Sequence, residues 1–270
     1  MDSSNDSSGN DPTDNGFADA GGDMTPMADC RVCRFRQNAL LAGRCAPGDA
    51  CVVADSGRQI DRFFRANPFL AMNYLGDPFW ERRAIAVRYS PVETLAQLIN
   101  DPDEAVRRAV AYRLPREQLT ALMNDEDREV RITVADRLPL EKLELMANDP
   151  DYLVRAYVAQ RLPVGRLFRL IRDADRQVRK TVAKRLPTES LGLMCGDSEP
   201  EVRRILASRL QGDDVVELLF DADWTVRLAA VENAPLEVLS GIRTEEDPEV
   251  LNAIAQRLQG AEQSSGPASE

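Results

Sequence analysis

The chain has 270 residues, 43% hydrophobic and 29% charged, a balance that suits a packed soluble protein and excludes collagenous and wholly disordered classes. Its 34 Lys and Arg stand against 45 Asp and Glu, and the net charge of −11 argues against a nucleic-acid binder, whose affinity comes from neutralising phosphates. Histidine is absent, which removes Ser-His-Asp and Cys-His nucleophiles, the H-E-x-x-H zinc helix and every imidazole metal ligand.

Residues 1–29 carry seven Asp and no Lys or Arg among Ser, Gly and Asn, so they read as a disordered acidic tail that cannot bury enough apolar surface to order itself. The segment has neither the cationic nor the apolar region of a signal peptide. No later run approaches the roughly 18 to 20 apolar residues of a membrane span. The expectation is a cytoplasmic protein without a membrane partner, its five cysteines reduced.

Four of those cysteines, Cys30, Cys33, Cys45 and Cys51, follow in the spacing C-x2-C-x11-C-x5-C. Clustered thiols without histidine read as a metal site, because thiolates are soft ligands for zinc or for iron-sulfur clusters. Only one pair is closely spaced and the other two cysteines stand singly in loops, which leans towards iron and leaves zinc open. Arg31, Arg34, Arg36 and Arg44 face a lone Asp49 in this stretch, and that positive balance would offset a thiolate-ligated metal of either kind. Seven of the fifteen aromatics then fall between residues 52 and 89: Phe63, Phe64, Phe69, Tyr74, Phe79, Trp80 and Tyr89. They are expected to form a hydrophobic N-cap, giving a module over 30–76; an aromatic docking patch is the functional alternative.

From Asp77 to Leu258 the chain repeats every 24 residues, with repeats opening at Asp77, Asp101, Asp125, Asp149, Asp173, Asp197, Asp221 and Glu245. The sixth position is Val106, Val130, Val154, Val178, Val202, Val226 and Val250 in the last seven repeats, and the seventh is Arg from Arg83 to Arg227 in the first seven. Val106, Val110, Ala111 and Leu114 lie at i, i+4, i+5 and i+8, one face of an α-helix. Asp101 or Asp103 should cap its start, and Pro115 should stop it after about ten residues. The remaining nine residues, with Leu119 and Leu122 three apart, suit a short 3₁₀ helix. No repeat this small buries two faces alone, so the eight must stack into a solenoid.

End repeats depart from the pattern as caps should, with Arg82 in place of the valine and Leu251 in place of the arginine. Gln211 and Gln259 replace the stopping proline in two repeats. A second arginine ladder runs through Arg113, Arg137, Arg161, Arg185, Arg209 and Arg257 at position 13. Both ladders are expected to pair with the Asp residues at positions 1 and 3 rather than form an anion groove. Cys195, at position 23, reads as a core residue and not as a fifth ligand. Residues 259–270 read as a second disordered tail.

The V-R-x-x-V-A-x-R-L-P unit together with the cysteine segment resembles the leucine-rich repeat variant family. That resemblance implies an all-α fold in which α and 3₁₀ helices alternate in a right-handed solenoid behind an N-terminal four-iron, four-sulfur module. It implies Cys30, Cys33, Cys45 and Cys51 as the cluster ligands, and the occurrence of some family members in nitrogen-fixing bacteria suggests a redox setting. The function expected is a non-enzymatic 4Fe-4S protein whose solenoid meets a protein partner; the alternative is a zinc-stabilised adaptor without a redox role. No paired-carboxylate cleft, phosphate loop or activated nucleophile speaks for an enzyme.

Overall fold

The structure, a computed structural model of the chain, describes residues 26–264, which divide after Ala66 into two compact bodies. The first, described over 26–66, is mostly turns. A wide helical turn at Arg36–Leu40 closes at Gly43, whose φ of +65° lies in the left-handed region that favours glycine. One helix follows at Gly57–Ala66, with Ile60, Phe63 and Phe64 at i, i+3 and i+4 on its buried face. Phe63 packs against Phe35 with ring centroids 5.1 Å apart and against Phe64 at 5.8 Å. With Ala39, Val52 and Ala54 these side chains make a small core.

The second body, described over 67–264, is the solenoid. Ten-residue helices such as Glu104–Arg113, Arg128–Arg137, Tyr152–Arg161 and Arg176–Arg185 alternate with 3₁₀ helices such as Arg116–Leu122, Val164–Leu170 and Thr188–Met194. Among the described residues no strand occurs; the one β-bridge, in the first body, is isolated. Six of the seven position-6 valines are fully buried and Val250 is nearly so, and each such side chain adds about 1.5–3 kcal/mol of apolar burial. Leu119, Leu143, Leu167 and Leu191 at position 19 are fully buried as well.

The periodic polar residues fix the stacking. Asp103, Asp127, Asp151, Asp175 and Asp223 at position 3 are the N-caps, each accepting from a backbone N–H in the first turn. Position 1 does something else. Asp125 is gripped in bidentate fashion by Arg107 of the preceding repeat, Nε to Oδ2 at 2.8 Å and Nη2 to Oδ1 at 2.9 Å, and Arg107 Nη1 donates to the Asp101 carbonyl at 2.8 Å. These side chains keep only 7% and 5% of their surface. Arg83–Asp101, Arg131–Asp149, Arg155–Asp173, Arg179–Asp197, Arg203–Asp221 and Arg227–Glu245 repeat the clamp.

The position-13 arginines depart from expectation. They do not pair with aspartate; they donate to main-chain carbonyls in the last helical turn of the preceding repeat, as Arg161 does to Ala135 O at 2.5 Å and Leu138 O at 3.0 Å. Those carbonyls are left without intrahelical partners where proline ends the helix, and a cation there also suits the helix dipole. Asn233 Nδ2, standing in for arginine in the seventh repeat, reaches Ala207 O at 3.1 Å.

The other differences sit where the repeat motif lapses. The third repeat opens its second half with an α turn, Leu140–Leu143, and the seventh uses a short α-helix, Leu236–Gly241. Without proline at Gln211 the helix still ends at Ala207, and Gly212, at φ +58°, makes the turn. Without proline at Gln259 nothing stops the last helix, which runs Pro248–Ser264 and continues past Gly260 through Ala261, Glu262 and Gln263. The C-terminal tail expected over 259–270 is therefore helical as far as Ser264, and its remainder, like residues 1–25 of the acidic tail, lies outside the described residues. The boundary at Ala66 also divides the expected 30–76 module, because Pro68–Tyr74 is already a proline-opened 3₁₀ helix of the repeat kind. The aromatic set splits accordingly: Phe63 and Phe64 are buried in the first body, Tyr74 is buried in the second, and Phe69 and Trp80 are exposed. No helix among the described residues is long and apolar enough to cross a membrane.

Candidate metal centre

The four clustered cysteines all lie in the first body, and local backbone chemistry sets two of them opposite each other. Cys45 and Cys51 flank a turn that the sequence spells Ala46-Pro47-Gly48-Asp49-Ala50. Proline presets φ at the second turn residue and Gly48 takes φ +73°, the combination a type II turn requires. Asp49 N–H donates to Ala46 O at 3.1 Å, and Ala46 and Ala50 exchange antiparallel hydrogen bonds of 2.9 and 2.8 Å. Two cysteines six residues apart are thereby set opposite each other, where spacing alone had left them single. The turn signal, Pro-Gly between two cysteines, was present in the sequence.

Cys33 O accepts from Arg36 N–H at 3.1 Å as the wide turn begins, and Cys51 N–H donates to Gln59 O at 3.1 Å, tying the cysteine loop to the helix. Cys51 is buried and the other three are half-buried. Burial pushes the Cys45 thiol up to about 11, and the neighbouring sulfurs of Cys51, Cys33 and Cys30 push it the same way. The thiols are not drawn into finished ligand geometry, since no trio of Cys, Asp or Glu side chains among the described residues stands ready around a metal, and Cys30 Sγ turns to Ala28 O at 3.7 Å.

The donor chemistry fits a sulfur-ligated group. Asp29 is held by Arg31 through two side-chain hydrogen bonds of 3.0 and 2.9 Å, which keep its carboxyl below the ordinary range, and Asp49 pairs with Arg62. Asp29 and Asp49, the carboxylates nearest the cysteines in sequence, are thus engaged by guanidinium groups, and the thiols are the soft donors of the segment. Arg34 lies over the Phe35 ring at 4.8 Å, so the loop keeps positive charge beside the sulfurs. Cys195 stands apart in the fifth repeat of the other body, half-buried and directed to Leu191 O.

A solved structure described as a leucine-rich repeat variant with a novel repetitive protein structural motif is 76% identical to this chain, covers 87% of it and 100% of itself, and superposes with a TM-score of 0.85. The chain belongs to the leucine-rich repeat variant family. The family model for leucine-rich repeat variants matches residues 80–103, 104–127, 128–151 and 152–175, each 24 residues long as the sequence period requires. A second model, described as the LRV protein FeS4 cluster, matches residues 26–73 and so takes in all four cysteines. This is an iron-sulfur cluster-binding leucine-rich repeat variant protein, and the zinc alternative finds no support. A relative from Rhodobacter capsulatus, described as an uncharacterized 27.7 kDa protein in the nifB 3' region, is 41% identical over 93 residues. That match spans 34% of this chain and 38% of the relative.

Proposed function

We propose that Cys30, Cys33, Cys45 and Cys51 ligate a four-iron, four-sulfur cluster, and that the repeats form a non-enzymatic scaffold for a protein partner, with the cluster serving electron transfer or redox sensing. The observation that carries the reading is the gathering of four cysteines in one small body, two of them set opposite each other across the 46–50 turn, inside the 26–73 span that the FeS4 cluster model matches. A bound cluster of this kind supplies one-electron transfer. The protein's own residues hold the sulfurs in place through the 46–50 turn and the Cys51–Gln59 hydrogen bond. Four cysteines match four irons, which leaves no iron open to a substrate. The free thiols suit a reducing, cytoplasmic setting.

Purification without oxygen, followed by iron, sulfide and zinc quantitation and EPR after reduction, tests the reading. About four irons and four sulfides per chain with a reducible signal are expected for a four-iron cluster. Zinc in place of iron and sulfide would overturn it.

A further inference from the structure

The 3₁₀ layer of the solenoid breaks its own charge rule at one place. Among the first seven repeats position 17 is acidic in six, as Glu93, Glu117, Glu141, Glu189, Asp213 and Glu237, and in the fourth it is Gly165. The segment that follows Pro163 reads VGRLFRLIR, with three arginines and no Asp, Glu or Lys, on a chain whose overall charge is −11. In a 3₁₀ helix residues three apart share a face, so Arg166 and Arg169 form one row, Arg172 follows in the exposed turn just beyond the helix, and Leu167 and Leu170 take the buried face.

Arg166 and Arg169 both reach Glu144 at position 20 of the third repeat, Arg166 at 2.9 Å. One repeat further on, the positions of that Glu144–Arg169 pair are filled by Phe168 and Leu193, which remain 43% and 63% exposed. Leu145 is exposed on the other side of the arginine row, and Arg172 has no carboxylate partner among the described residues. An ion pair has thus been exchanged for two uncovered apolar side chains beside guanidinium groups. Three arginines stand against the single carboxylate of Glu144 here, so the patch keeps a positive balance beside its apolar side chains, and aromatic residues with arginine are enriched at interface centres, where such anchors carry most of the binding energy.

We infer that Leu145, Arg166, Phe168, Arg169, Arg172 and Leu193 form the docking face for a protein partner, which presents a segment carrying carboxylates and at least one large apolar side chain. This rests on the scaffold reading above and names its face and its partner's chemistry. Positive charge selects the acidic segment, and Phe168 with Leu193 selects its apolar anchor; a bare polyanion satisfies only the first requirement.

The test pans a phage-displayed library of random peptides about 12 residues long against the full-length, cluster-loaded protein and measures the enriched peptides by fluorescence anisotropy. Peptides combining Asp or Glu with Leu, Phe or Trp are expected. Arg169→Glu/Arg172→Glu and Phe168→Ser should each weaken them about tenfold, and Arg108→Glu, at an exposed site elsewhere on the solenoid, should leave them unchanged. Unchanged circular dichroism and visible absorbance would show that the variants fold and keep the cluster. If the same peptides bind the variants equally, this face is wrong and the scaffold reading stands. If enriched peptides lack acidic residues, or a single-stranded oligonucleotide binds as tightly, the partner chemistry is overturned. If nothing is enriched, the scaffold reading falls with it.

Discussion

The two bodies solve the problem of stability in opposite ways. In the repeats the main interactions recur: the buried valine, the aspartate cap in most repeats, and the Arg–carboxylate clamp between one repeat and the next. Stability there is a sum over neighbours, so one defect weakens the array without erasing it. Among its described residues the cysteine body has one α-helix, a handful of buried side chains and one bridged turn. A domain that small depends on a cross-link or a metal, and binding free energy at its sulfurs becomes folding free energy. Redundancy holds the repeats together; the cysteine body, on the function proposed above, relies on its cluster.

The sharpest way to break that comparison is to strip the iron by anaerobic chelation and follow amide hydrogen exchange. Residues 26–66 should lose most of their protection while the repeat helices keep theirs. Equal loss in both bodies would mean that the repeats, too, depend on the metal.

The next largest effect concerns the clamp. Arg131→Met leaves Asp149 buried without its guanidinium and should cost about 3–5 kcal/mol in thermal or denaturant unfolding. Arg131→Met combined with Asp149→Leu should recover much of that loss, because the penalty lies in the abandoned charge. A single variant that unfolds like the parent would show that the clamp contributes only geometry. A smaller change tests the caps: Asp127→Ala removes the acceptor for Glu129 and Val130 N–H and should cost about 1 kcal/mol.

The smallest effect per site is in the acid limb. Arg203 and Arg227 hold Asp221 and Glu245 below their ordinary values by hydrogen bonding. Their stabilisation is full above the unfolded carboxylate range near 4 and is lost as pH falls through the depressed folded values. Helicity of the solenoid should accordingly persist below pH 4 before it fails, and Glu245→Gln should move that failure upward. A midpoint that ignores the substitution would show that this clamp does not govern acid unfolding.

How far the molecule could be read in advance follows the same division. Periodicity made the repeats legible, because Val106 and its six equivalents report one buried face seven times. It told less about polar partners. A guanidinium that recurs with a period of 24 can pair with anything else of that period, and the position-13 arginines pair with carbonyls, which carry no sequence signature. Polar composition past Gln259 reads as a tail, but the missing proline lets the helix run on to Ser264. In the cysteine body nothing recurs. The Pro47-Gly48 turn that sets Cys45 opposite Cys51 was visible only as local turn chemistry, and the helix at Gly57–Ala66 has no copy to confirm it.

The most direct measurement compares iron content and visible absorbance of Cys45→Ser and Cys195→Ser with the parent, all purified without oxygen. Cys45→Ser should lose its brown colour and most of its iron while the far-ultraviolet helical signal of the repeats persists, and Cys195→Ser should match the parent. Full iron in Cys45→Ser, or equal loss in Cys195→Ser, would contradict the assignment of the cluster to the four sulfurs of the first body.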